Sequence, residues 1–223
     1  MKEVLILGGA GFIGFNLALK LSERDNHNIT IADNLSRGQM DSSLIELLKK
    51  ENVTFIEGDF TNNEDFSKLH KEYDYLYMLA AVVGVNNTLK MPSEIIRINT
   101  KLTINVLEWL SKSQVKKVIF TSTSENYSGT IDKFNYKVPT PEDVPLSIID
   151  ISHPRYTYAV TKILGESGFL NYANTYGFEC TIIRYHNVIG PRMGFKHVIP
   201  HLAERFLIKK ENPFLMYGFD QTR

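Results

Sequence analysis

Apolar positions recur along the chain with two different periods. Val4-Leu5-Ile6-Leu7 is a short apolar run that breaks at Gly8, and Phe12, Ile13, Leu17 and Leu21 then follow near helical spacing. Asn28-Ile29-Thr30-Ile31-Ala32 alternates polar and apolar residues and ends at Asp33, the pattern of a strand. Further strands are predicted at Val53–Glu57, Tyr75–Leu79, Lys117–Thr121, Cys180–Tyr185 and Phe214–Tyr217. Helices are predicted near Asp41–Lys50, Glu64–Lys71, Pro92–Ser111, Tyr156–Thr175 and His197–Lys209. Alternation of strands and helices implies an α/β fold, a doubly wound parallel sheet with helices on both faces. Ligands in such folds lie beyond the C-terminal ends of the strands. The stretch from Ser128 to Arg155 carries four prolines and reads as a long loop over the site.

The first strand runs into Gly8-Gly9-Ala10-Gly11-Phe12-Ile13-Gly14. This G-x-x-G-x-x-G turn is a variant of the dinucleotide-binding glycine fingerprint. Gly8 permits the tight turn, Gly11 lets the backbone approach a pyrophosphate, and Gly14 lets the helix pack close to the strand. Free N–H groups at the helix start suit phosphate. Asp33 follows about 20 residues on, where a carboxylate accepts from a ribose diol and repels a 2′-phosphate. NAD is therefore favoured over NADP, with Arg37 pulling the other way. The competing role for Asp33 is to cap its own loop.

Composition narrows the class. The chain has 223 residues, 43% hydrophobic and 22% charged, with zero formal net charge, which suits one sizeable core. Zero charge gives no electrostatic case for nucleic acid or an anionic membrane. The apolar run at the start is too short for a membrane span. The single cysteine, Cys180, allows no internal disulfide, fits a cytoplasmic setting, and reads as packing in a buried strand.

Tyr158 and Lys162 lie four residues apart on a predicted helix, so both project from one face. An ammonium about 6 Å from a phenol, at an effective dielectric of about 20, favours the phenolate by roughly 2.8 kcal/mol, or about two pKa units. A positively charged cofactor ring nearby would add a similar amount, and together the two would bring a tyrosine into the range where it exchanges protons near neutral pH.

These motifs, together with Asp33-Asn-Leu-Ser-Arg-Gly38, Gly58-Asp59, Leu79-Ala-Ala81, Asn99, Thr121-Ser-Thr-Ser-Glu-Asn-Tyr127 and Arg184-Tyr-His-Asn-Val-Ile-Gly-Pro-Arg192, resemble the extended short-chain dehydrogenase/reductase family, in its nucleotide-sugar epimerase and dehydratase branch. The resemblance covers nearly the whole chain. It implies a Rossmann-like NAD-binding domain over residues 1–185 and the start of a substrate-binding region over 186–223. That region is expected to be truncated, since the family pattern continues beyond Arg223. It implies cofactor contacts at Gly8, Gly11, Phe12, Ile13, Gly14, Asp33, Asn34, Asp59, Phe60, Ala80, Ala81, Asn99, Tyr158 and Lys162. Tyr158, Lys162 and Thr123 take the catalytic positions, with Ser122 and Ser124 as alternatives for the hydroxyl. Ser124, Asn187 and Arg192 would meet the substrate, a nucleotide-diphosphate sugar. Asn99 would help hold the lysine, or else pack inside its helix. The branch oxidises a sugar to a transient 4-keto form, and a homodimer built on two helices per subunit is expected of it.

Glu125 separates the members of the branch. A glutamate after two small polar residues is similar to dehydratases and decarboxylases, in which a second acid or base is required or a carboxylate leaves, whereas many 4-epimerases have a smaller non-acidic residue there. Asn126 and Ser128, around Tyr127, replace the more usual valine and glycine. The sequence leaves epimerase, dehydratase and decarboxylase open, and a non-catalytic NAD-binding sensor remains the reading from another class. His197 and His201 have the spacing of a metal pair but no third ligand, and the family mechanism needs none.

Overall fold

The computed structural model describes residues 1–194 and 197–215. It divides into two compact units, Met1–His186 and Asn187–Arg223.

The first unit is built on six strands: β1 (Lys2–Leu7), β2 (His27–Asp33), β3 (Val53–Glu57), β4 (Glu72–Met78), β5 (Gln114–Thr123) and β6 (Glu179–Tyr185). All pair in parallel, in the order β3-β2-β1-β4-β5-β6. The order runs outward both ways from β1, so the connections diverge between β1 and β4 and open a crevice at their C-terminal ends. The helices are α1 (Phe12–Ser22), α2 (Ser42–Leu47), α3 (Val85–Lys90), α4 (Pro92–Leu110), α5 (Ser128–Phe134) and α6 (Thr157–Tyr176).

The all-apolar run of β1 serves both faces of the sheet at once, because successive side chains point opposite ways. Val4 and Ile6 join Ile29, Ile31, Phe15, Ala18 and Leu44 on the α1–α2 side. Leu5 and Leu7 join Leu76, Met78, Val118, Phe120, Leu102, Val106 and Phe169 on the α4–α6 side. There α6 comes very close to β5: a Cβ on Gly165 would fall into the Phe120 ring, 2.8 Å from Cε1. Phe120 also stacks on Phe169 with centroids 4.6 Å apart.

Several predicted elements change form. The helix near Glu64–Lys71 is a 3-10 turn over Asn63–Lys68, ended by extended backbone at Leu69. Asp41 caps α2 through the Leu44 N–H at 2.9 Å, and the helix stops at Leu47. Helices α3 and α5 were not predicted; at six and seven residues they are too short to show a periodic stripe, and α5 buries Gly129 and Thr130 rather than large apolar side chains. The long segment predicted as a loop thus begins as a helix. In the second unit, α7 (Val198–Ala203) passes into one π turn over Glu204–Ile208. Phe214 and Leu215 are not in a strand, and the rest of the strand predicted at Phe214–Tyr217 lies outside the described residues. Within this unit Phe206 meets Phe214 edge to face at 5.9 Å, and Arg205 pairs with Glu211 at 2.7 Å.

At the opposite end of the sheet from the crevice, Asp74 gathers Lys116 at 2.8 Å, Lys2 at 3.2 Å and the Glu3 N–H at 2.9 Å. The Lys116 bond first, then that N–H, hold its carboxyl far below the usual carboxylate range, against a smaller effect of burial. A depressed folded-state pKa gives stability that is present above the unfolded value and lost as pH falls through the folded one. Asp74→Asn is therefore expected to lower stability by about 1 kcal/mol near neutral pH, since both lysines are exposed. Melting curves of variant and parent should converge in acid; a gap independent of pH would show the charge to be irrelevant.

Candidate active site

The glycine turn is shaped by contacts that exclude side chains. Gly8 has φ +83°, and a Cβ there would lie 2.7 Å from the Ala80 nitrogen. A Cβ on Gly14 would strike the Gly8 carbonyl oxygen and come 2.6 Å from Gly9 Cα. By contrast, a Cβ on Gly11 would touch only the Gly8 carbonyl at 3.3 Å, so this glycine faces open space. Gly11 is also the N-cap of α1, with no side-chain cap and no acidic residue in the first turn. The N–H groups at Phe12, Ile13 and Gly14 thus sit at an uncapped helix start, which suits an anion.

Asp33 ends β2 with its carboxylate turned inward and down to 9% exposure. Oδ2 accepts from the Ala10 N–H at 3.0 Å and Oδ1 from the Leu35 N–H at 2.8 Å. It both caps its own loop and braces the glycine turn. A carboxylate has about four acceptor positions, so two bonds leave capacity for a diol. Asn34 accepts from the Ser36 N–H at 3.0 Å and is exposed. These features fit a dinucleotide.

Around the other side of the crevice the predicted residues fall into two groups. Ala80 and Ala81 are partly buried beyond β4, beside Gly8. Asp59 accepts from Thr61 N–H at 3.0 Å and Thr61 Oγ1 at 2.8 Å, closing its own turn. The Phe60 ring lies in the core, edge-on to Phe66 at 5.1 Å, so any ligand contact there falls to its backbone. Asn99 grips Val82 on both sides, accepting from its N–H at 2.8 Å and donating to its carbonyl at 3.0 Å, and reaches Thr161 Oγ1 at 3.5 Å. Asn105, one and a half turns on, donates to the Phe60 and Thr61 carbonyls at 3.2 and 2.8 Å. Two buried amides on α4 therefore fix the loops after β4 and β3. Asn105 carried no signal in the sequence beyond a polar residue on an apolar helix.

Tyr158 and Lys162 do stand together on α6. Lys162 Nζ donates to the Thr121 carbonyl at 2.7 Å, lies 4.8 Å from the Phe120 ring centroid and 5.6 Å from that of Tyr158. Burial brings the amine down to about 7. Burial, then the Glu125 charge, push the Tyr158 phenol well above its ordinary range, with Arg37 pulling it down. Burial within this chain therefore opposes the acidification that the Coulomb argument predicts. The simple Coulomb argument took the ammonium as fixed, whereas the same burial that strengthens it also penalises it.

The segment after β5 sorts its hydroxyls by direction. Thr121 Oγ1 donates to the Met78 carbonyl at 2.9 Å. Ser122 Oγ donates to Glu166 and accepts from Asn126. Thr123 Oγ1 accepts from the Glu125 N–H at 3.2 Å, which leaves its hydrogen to donate. Ser124 is partly buried at the start of the next turn. Glu125 lies 3.9 Å from Arg155 and close enough to Tyr158 to bias its ionisation. Cys180, its thiol pushed up to about 11 by burial, is not a reactive thiolate at neutral pH. In the second unit Arg192 adopts φ +68°, and Asn187 and Arg192 occupy the turn region before α7.

A parallel sheet with its crevice beside an uncapped glycine turn, and a Tyr–Lys pair near the end of β5, define a Rossmann-type dinucleotide-binding fold. The chain belongs to the NAD-dependent epimerase/dehydratase family, which it matches over residues 4–223. It is 36% identical over 220 residues to a UDP-N-acetyl-alpha-D-glucosaminuronate decarboxylase of Bacillus cytotoxicus, covering 97% of this chain and 64% of that relative. It is 30% identical over 224 residues to a putative UDP-glucose 4-epimerase of Methanocaldococcus jannaschii, covering 99% and 68%. Among solved structures, a UDP-N-acetylglucosamine 4-epimerase from Methanobrevibacter ruminantium superposes with a TM-score of 0.78 at 30% identity, over 92% of this chain and 63% of that one. The chain thus spans slightly under two thirds of the length of the first relative. No helix among the described residues is long and apolar enough to cross a membrane.

Proposed function

We propose that this chain forms the NAD-binding and redox part of an enzyme that rearranges a nucleotide-diphosphate sugar through a transient 4-keto sugar. The observation that carries the reading is the placement of Lys162 against the Thr121 carbonyl and beside Tyr158, at the strand end that carries Thr123. Gly8, Gly11, Phe12, Ile13, Gly14, Asp33 and Asn34 line the nucleotide side, with Asp59, Phe60, Ala80, Ala81 and Asn99 shaping the loops opposite. Asp33 disfavours a 2′-phosphate, which selects NAD.

When bound, NAD supplies the hydride acceptor and a positive charge. Tyr158 takes the proton of the sugar hydroxyl, and Thr123 donates to the same oxygen as it becomes a carbonyl. Lys162 stands beside Tyr158, its Nζ 5.6 Å from that ring centroid, and its charge acts against the burial that raises the phenol. Residues 1–185 serve the cofactor and 186–223 begin the substrate region, where Asn187 and Arg192 meet the sugar diphosphate, Arg192 through its planar fork. Ser124 contributes a further hydroxyl to the sugar. Exposed Ile96 and Ile104 on α4 and Leu164 and Leu170 on α6 support a homodimer through these helices. A cytoplasmic setting fits a single thiol that pairs with nothing.

Glu125 favours a second reading within the branch. Its charge bears on Tyr158, and a carboxylate near the proton-transfer residue suits the second acid or base that a dehydratase needs. The 36% identical relative is itself named a decarboxylase. Product mass from a panel of UDP-, GDP-, CDP- and dTDP-sugars separates the outcomes: unchanged for epimerisation, less water for dehydration, less carbon dioxide for decarboxylation. Glu125→Gln should cut loss of water by about a hundredfold or more while sparing epimerisation. Equal activity in both assays would remove Glu125 from the chemistry, and no turnover of any sugar by NAD-loaded enzyme would refute the reading.

A further inference from the structure

Glu166 lies one helical turn past Lys162 and two past Tyr158, and the proposed chemistry gives it no part. It is nonetheless a carboxylate at 4% exposure. Burying such a charge is costly unless it is paired and hydrogen-bonded. Here Oε1 accepts from Ser122 Oγ, from Asn126 Nδ2 at 2.8 Å and from Arg184 Nε at 3.0 Å. Oε2 accepts from Arg184 Nη2 at 2.7 Å. Burial is the strongest single influence and opposes ionisation, yet the donors together outweigh it and hold the carboxyl below its usual range.

These partners read as a register between α6 and β5. Phe120 fills the space left by Gly165, the Thr121 carbonyl takes the Lys162 amine, and the Ser122 hydroxyl takes Glu166. Thr123 is the next residue on the strand, and Tyr158 stands one turn back on the helix. Sliding α6 by one turn would break each of these contacts at once. Asn126 shows how strongly the arrangement is held. It is fully buried and donates to both Ser122 and Glu166, while its Oδ1 has no partner among the described residues. A buried amide with half its polar atoms unpaired is an unfavourable choice for packing alone. Arg184 carries the anchor onward to the Tyr127 hydroxyl at 2.6 Å and the Glu142 carbonyl at 3.1 Å.

We propose that Glu166, anchored by Ser122, Asn126 and Arg184, is a positioning residue that sets where α6 places Tyr158 and Lys162 against the end of β5. The proposal rests on Tyr158 being the proton-transfer residue, and its test has a reading that needs no substrate. In the full chain, the rate at which trinitrobenzenesulfonate modifies Lys162 is followed by peptide mass, beside amide exchange in β1 and β2. Glu166→Ala should speed Lys162 modification by about tenfold or more, with β1 and β2 exchange unchanged. Glu166→Gln keeps the reach and the Ser122 and Asn126 bonds, and should stay within about threefold of the parent. With UDP-glucose as the probe, Glu166→Ala should lower kcat by about tenfold with KM within about threefold, and Glu166→Gln should restore most of it. If the alanine variant does not fold, Glu166→Asp, one methylene shorter with its charge intact, carries the same readings. Equal protection of Lys162 in all folded variants, or loosening that extends equally to β1, overturns the proposal. A parent protein that turns over no nucleotide sugar counts against the functional reading alone, because the lysine reading stands without substrate.

Discussion

Tyr158→Phe is expected to lower turnover by about a thousandfold while leaving NAD bound. The substitution removes one oxygen and keeps the ring, so the packing of α6 against β5 should survive. Among the described residues, no side-chain bond that holds the fold passes through that hydroxyl: Lys162 donates to the Thr121 carbonyl, and Glu166 anchors the helix elsewhere. The loss should appear in kcat with KM nearly unchanged, since the phenol acts as the proton moves rather than in ground-state binding. In the parent, burial and the Glu125 carboxylate raise the phenol pKa, so activity should fall as pH drops and proton acceptance by Tyr158 becomes less favourable. Glu125→Gln removes one of the two raising influences and should move that limb to lower pH. Near-normal turnover in Tyr158→Phe, measured on NAD-loaded protein, would transfer the proton step to another group and end the mechanism proposed above.

Much of this site is legible in the sequence because its parts are local. The glycine turn, the acid at the end of β2 and the Tyr–Lys spacing each depend on a few neighbouring residues and on periodicity that the backbone enforces. The six strands of the sheet were readable for the same reason, from their apolar or alternating runs. What escaped is non-local. Phe60 stands next to Asp59 in a motif expected to meet the cofactor, and its ring turns into the core against Phe66, where a large apolar side chain gains more than beside a polar group. Asn99 and Asn105 look like two polar residues on one helix until the fold delivers the Val82 and Phe60 backbones to them. Glu166 follows Lys162 by four residues and drew no reading from the sequence, because its partner Arg184 lies eighteen positions on and on a different element. The pKa argument was incomplete for a related reason: a charge–charge distance follows from helix geometry, whereas desolvation depends on everything packed around the pair.

Gly14→Val tests the cofactor cradle from the side of sterics rather than chemistry. Its Cβ would meet the Gly8 oxygen, Gly9 Cα at 2.6 Å and the Gly8 carbonyl carbon at 3.1 Å, all backbone. None of these atoms has freedom to give way. Gly8 is tied to β2 through its N–H to the Ala32 carbonyl at 2.8 Å, and its carbonyl accepts from the Gly11 N–H at 3.3 Å. Helix α1 must therefore lift, which pulls Phe15, Ala18 and Leu21 from the core and moves its uncapped N–H groups off the phosphate position. Overpacking of this kind costs about 1–3 kcal/mol in stability. Misplacing two or three charge-assisted bonds to phosphate should weaken NAD binding by about a hundredfold or more. Gly177→Ala supplies the contrast: its added Cβ meets nothing within 4 Å, but φ is +80° at the end of α6, so about 1 kcal/mol of stability should be lost with no change in NAD affinity. Calorimetric titration with NAD and thermal unfolding of both variants decide between the two effects. A Gly14→Val protein that binds NAD within threefold of the parent would mean that α1 does not form the phosphate site.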